Sequence, residues 1–168
     1  MSTVLLATLS PTASTTWSIP LTYYGFKHIS LRGAIRIEGT DGSDQTAYWT
    51  VSSDGGTTGL SMLGHSLIRY NNLNTTVAIT NQDVNFKVDN FQAQDNYTSV
   101  EIFIADYATT DSQSNVEMTL VGLVGGIGLR MEHMSSRTSL ASQINHITLT
   151  APTNWNTSSV LRVFGHRG

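Results

Sequence analysis

The 168 residues include no cysteine, carry a net charge of −3 and are only 12% charged, about half the share of an average soluble domain. That length is one domain with room for a core that needs no staples, and it excludes both a disulfide framework and a thiolate metal site. The two lysines, Lys27 and Lys87, and the scattered arginines form no basic run. Phosphate neutralisation supplies most nucleic-acid affinity, so direct nucleic-acid binding is not expected.

Ser, Thr and Asn take the place of the missing charges. The wet faces are therefore hydroxyl- and amide-rich, which suits extended protein contacts or a neutral polar ligand such as a sugar. Val4-Leu5-Leu6-Ala7 is too short for a signal-peptide core, and no basic region precedes it. No apolar run approaches membrane-spanning length, so the expectation is a chain with no membrane partner.

Strands are predicted from end to end. Residues 2–9 form an edge strand or an extended arm, broken off by Pro11 and a Ser/Thr cluster. Trp17-Ser18-Ile19 makes a short second strand before Pro20. Residues 27–38 alternate cleanly: Ile29, Leu31, Gly33, Ile35 and Ile37 take one parity, and His28, Ser30, Arg32, Ala34, Arg36 and Glu38 the other. Side chains on a strand point alternately to opposite faces, so this strand is dry on one side and wet on the other.

Gln45–Ser52 places Ala47, Trp49 and Val51 together. Residues 58–70 are interrupted by Gly59 and Gly64, which suggests a bulge or a close backbone approach. Strands over 73–80 and 84–88 follow. Thr98–Tyr107 turns Val100, Ile102 and Ile104 one way and Glu101, Phe103 and Ala105 the other. Val116–Val124, Ile127–Met134, His146–Thr150 and Val160–Phe164 complete the series. Many short strands between Gly, Asn and Asp turns indicate an all-β fold. Strands dry on one side need a facing layer, which predicts an antiparallel two-sheet jelly-roll-like β-sandwich. The division is an N-terminal arm or edge strand at 1–16 and a sandwich at 17–168.

Three ordered stretches resemble a β-sandwich family of tailed-bacteriophage virion proteins. They are Ser18–Tyr23 with Phe26–Gly33, then Val100–Ala108 with its Asp106-Tyr107-Ala108 step, then Ile144–Thr150 with Asn154-Trp155 and the strand into Phe164-Gly165. The resemblance spans about residues 17–165 and departs at the closing His166-Arg167-Gly168 and in the glycine-free turn 154–159. It implies a virion protein assembled in the host cytoplasm, with other capsid or tail proteins as partners and no catalytic centre. Coiled-coil heptads and a collagen-like repeat are both missing from the sequence. The expectation is therefore a capsid decoration, cement or surface-appendage subunit and a homo-oligomer, with a trimer to match three-fold sites. The alternative is a tail-associated receptor-binding module for host-surface glycans.

The candidate chemistry is sparse. Glu101 and Asp106 have odd spacing and would point to opposite faces of a regular strand. His28, His65, His133, His146 and His166 lack metal-site spacing and read as polar-face residues. Asp41-Gly42-Ser43-Asp44 could contribute to a calcium loop but reads as a turn. Gly122 and Gly125-Gly126-Ile127-Gly128 lack the helix and Lys-Ser/Thr of a phosphate loop. No cofactor, metal or catalytic residue is assigned. Val4, Leu5, Leu6 and Leu9 form an apolar stretch that would suit a partner interface by strand addition. Tyr23, Tyr24 and Trp155 are the candidate glycan or partner contacts, Trp155 because its turn is polar, whereas Trp17 and Trp49 are assigned to the core.

Overall fold

A computed structural model describes residues 2–39, 45–70, 73–79, 84–88, 97–108, 110–124, 128–139 and 141–168. Twelve strands, and no helix, occur among the described residues: β1 Thr3–Leu9, β2 Thr16–Pro20, β3 His28–Ile35, β4 Gln45–Ser52, β5 Met62–Tyr70, β6 Leu73–Ile79, β7 Val84–Val88, β8 Thr98–Ala105, β9 Asn115–Val124, β10 Gly128–Thr138, β11 His146–Thr150 and β12 Val160–His166. They form a large sheet, ordered β1-β12-β3-β8-β9-β10-β5-β6, and a small one, ordered β2-β11-β4-β7. All pairings are antiparallel.

The topology is nested. β1 pairs with β12, β2 shares a sheet edge with β11, β3 pairs with β8, and β4 pairs with β7. Successive pairs alternate between the sheets, which is the jelly-roll arrangement expected from the sequence. Two insertions widen it. β5-β6 lies between β4 and β7 in sequence, and β9-β10 between β8 and β11; together they extend the large sheet by four strands beyond β8.

The core lies between the sheets and follows the period-2 pattern. Ile29, Leu31, Ile35, Val100, Ile102, Ile104, Leu161 and Val163 face inward from the large sheet. Trp17, Ile19, Ala47, Trp49, Val51, Ile147 and Leu149 meet them from the small one. Each of the Val, Leu and Ile side chains among them contributes about 1.5–3 kcal/mol by leaving water. Glycine is required where strands approach closely: a Cβ at Gly33 would overlap the Val160 carbonyl oxygen, and one at Gly64 the Ser135 carbonyl oxygen. The close approach predicted at Gly64 is thus present, within a regular ladder rather than at a bulge.

Two readings of the polar parity need correction. The strand predicted over 27–38 ends at Ile35, and Ile37 continues only as an isolated bridge to Trp155. Arg36 is buried, not solvated: its guanidinium lies 4.7 Å from the Tyr97 ring centroid, and its backbone N–H and C=O both bond the Ser159 hydroxyl. Residues 41–44, weighed for calcium and read as a turn, and the glycine turn read at 125–127 lie outside the described residues.

Candidate interaction surfaces

The apolar N-terminal stretch is an edge strand of the large sheet. β1 pairs with β12 from Thr3↔His166 to Leu9↔Leu161, with a register shift between Leu5 and Ala7. Leu6, Ala7 and Leu9 are half-buried against the core, whereas Val4 and Leu5 remain exposed. The predicted interface residues are therefore split: Leu6 and Leu9 serve this chain's own sandwich, and Val4 and Leu5 face solvent. The other edge of β1 carries no neighbouring strand among the described residues.

The β2–β3 loop comes to the same end of β12. Lys27 N–H donates to the His166 carbonyl, and the Phe26 ring lies tight against Gly165, which stands opposite Val4. Gly25 takes φ +81°, a conformation glycine adopts at no steric cost, and this tight turn projects Tyr24 outward. Tyr24 is 85% exposed. Tyr23 is half-buried against the core, and burial pushes its phenol pKa up.

Trp155 does not belong to this surface. It is fully buried, its ring 6.2 Å from Trp17, with Nε1–H donating to the Leu149 carbonyl. The polar residues around it mislead because the backbone, rather than the side chain, meets the turn: Trp155 N–H donates to Ser14 O, and Trp155 bridges Ile37. A buried ring presents no face to a glycan, so the sequence-based assignment is corrected. Trp17 and Trp49 are core residues as expected.

Histidines and hydroxyls tie the elements together. The His166 ring bonds Thr3 Oγ1 at 3.1 Å through Nδ1 and Ser30 Oγ at 2.8 Å through Nε2. It also packs against Phe103, which contacts His28 as well. Burial, then Arg32 and His28, push the His166 pKa below its ordinary value. His146 bonds Ser18 Oγ at 2.7 Å, and burial lowers its pKa too. Both rings stand on the outward parity of their strands, opposite Leu161 and Val163 on β12 and Ile147 and Leu149 on β11, as the sequence predicts, but neighbouring side chains bury them there.

The carboxylates are engaged structurally. Glu101 pairs with Arg32 at 2.8 Å across the β3-β8 ladder. Asp106 lies just past β8 at φ 51°, 3.7 Å from Lys27, and its N–H donates to His28 Nδ1. Asp54 accepts from the Ser52 hydroxyl and from the Thr57 and Thr58 N–H groups. Those bonds, the Ser52 one foremost, lower its pKa to about 2. No group of three or more His, Cys, Asp or Glu side chains suited to a metal ion occurs among the described residues.

The sequence reading missed a second surface. On β5 and β10 the usual polarity is reversed. Glu132, Ser66, Ser136 and Thr138 are buried on the inner face, alongside Met62 and Met134. Glu132 is held by Arg130 Nη2 at 2.8 Å and by Ser66 Oγ at 3.0 Å. The outer face instead carries Leu63, Leu67, Leu129 and Met131, each 43–59% exposed. The ladders set Leu67 beside His133, Leu63 beside Arg137, and Met131 between Val121 and Arg69. The alternation Leu63, His65, Leu67, Arg69 against Met62, Gly64, Ser66, Ile68 was present in the sequence. What it lacked was any sign of which parity faces in.

No family model, curated protein or solved structure matches this chain.

Proposed function

We propose that the chain is a non-enzymatic structural subunit of a bacteriophage virion, a capsid decoration, cement or surface-appendage protein that works through protein–protein contacts. The observation carrying this reading is the open edge of β1. Residues 2–9 contain no charge, proline or glycine, and Val4 and Leu5 are exposed on that edge. Edge strands of proteins that stay monomeric are usually blunted by charge, proline or a covering element. Here only the irregularity between Leu5 and Ala7 interrupts the edge. A strand from a neighbouring subunit would satisfy its outward N–H and C=O groups and cover Leu5. Repetition in a symmetric oligomer, a trimer at three-fold positions, would add many weak contacts through effective concentration.

Mass spectrometry and cryo-EM of purified particles test the reading. The chain should appear in the virion at a symmetric position, and Leu5→Lys should lower its occupancy without unfolding the sandwich, because Leu5 is exposed. Absence from purified particles would overturn the virion assignment. Wild-type occupancy of the Leu5→Lys variant would remove β1 from the contact.

The exposure of Tyr24 supports a second reading, a glycan-recognition loop, since an open aromatic face can stack on a sugar ring. A glycan array probed with wild type and Tyr24→Ala separates the two. Binding lost in the variant supports recognition, and no binding by wild type removes it.

A further inference from the structure

We infer that the outer face of β9, β10 and β5 docks a protein partner whose contacting surface combines apolar residues with carboxylates. The inference rests on the reading that the chain acts through protein contacts, but it concerns a surface distinct from the β1 edge. Large aliphatics on the wet face of a sheet, over a buried glutamate and serines on the dry face, invert the pattern that a solvent-facing sheet requires. Leu67 and Met131 are diagonal neighbours on two paired strands and form the centre of the patch, with Leu63 on the same face beyond the His65–Ser135 pair.

Charge selects the occupant. Arg69 and Arg137 flank the aliphatics, and Glu117 is the one acid on this face of β9, β10 and β5 among the described residues. The same face continues to Arg32, Arg162 and Glu101, giving four arginines against two glutamates in a chain of net charge −3. A second copy presenting this face would bring two surfaces of net positive charge together, and like-charge juxtaposition across an interface is unfavourable. A nucleic acid would use the guanidinium groups but leave the leucines and methionine against a polar backbone. An acidic, apolar protein surface satisfies both, and methionine and arginine are enriched at protein interfaces, where an apolar centre lies within a polar rim.

The test uses the whole chain and defined probes: a random Glu–Tyr copolymer, polyglutamate, and duplex DNA of equal charge. The copolymer should bind more tightly than either of the others. Leu67→Ser/Met131→Ser should weaken copolymer binding at least tenfold, and Arg69→Gln/Arg137→Gln should weaken it and flatten its salt dependence. Circular dichroism confirms that these surface variants remain folded. Equal binding by wild type and variants, or tighter binding to DNA, would overturn the proposal. So would sedimentation of a dimer that Leu67→Ser/Met131→Ser converts to monomer, because a second copy would then be the occupant. Docking by a chain absent from virions would sink the virion reading and leave this surface standing; a virion chain that ignores the copolymer would do the reverse.

Discussion

Two buried histidines make this protein's stability respond to mild acid. His146 and His166 both have folded-state pKa values below the ordinary 6.5. Below 6.5 the unfolded chain therefore takes up protons that the folded chain refuses. Their contribution is complete above 6.5, declines as pH falls, and levels off once pH has passed the folded values. Urea midpoints measured between pH 8 and 5 should fall with pH, and a His146→Gln/His166→Gln variant should show a flatter profile. Asp54 acts in the other acid range. Its pKa is held down at about 2, so its support of the 52–59 turn is present above 3.8 and is lost as pH falls toward 2. Glu132 is a different case: a buried carboxylate paired with Arg130. Removing one partner of a buried pair costs about 3–5 kcal/mol, whereas replacing both with apolar residues is often neutral. Glu132→Leu should therefore lower the urea midpoint strongly, and Arg130→Met/Glu132→Leu should recover most of the loss.

At the scale of elements, the strands in the sandwich proper were legible because one parity is uniformly apolar. β11 matches its predicted bounds, and β3, β4 and β8 turn inward the residues that alternation selected. β5 and β10 were legible as strands but not as surfaces, since neither parity is uniformly apolar. Trp155 shows the opposite error. Its flanking Asn and Thr residues are polar, yet its ring fills the space beside Trp17, and Trp155→Ala should cost about 3–5 kcal/mol in a denaturant melt. Gly33 makes the same point for backbone packing. Gly33→Ala should destabilise the β12-β3 pairing, because the new methyl would meet the Val160 carbonyl with no flexible side chain to yield. Hydrogen exchange at β12 amides would detect that loss.

Across the whole molecule, the two-layer architecture was determined by the sequence itself. Alternating side chains force one face of each strand out of water, and that apolar face demands a second sheet. The sequence likewise determined that the wet faces carry hydroxyls and amides in place of dense charge. Only the tertiary structure decided which strands neighbour one another, because pairing partners are remote in sequence and many registers satisfy the same alternation. It placed Thr3 beside His166, joined the Tyr24 loop to the end of β12, and buried Trp155. It also decided that β5 and β10 would turn their leucines and methionine outward. Local pattern states that a strand has two faces; which one becomes the inside depends on the layer that comes to lie over it.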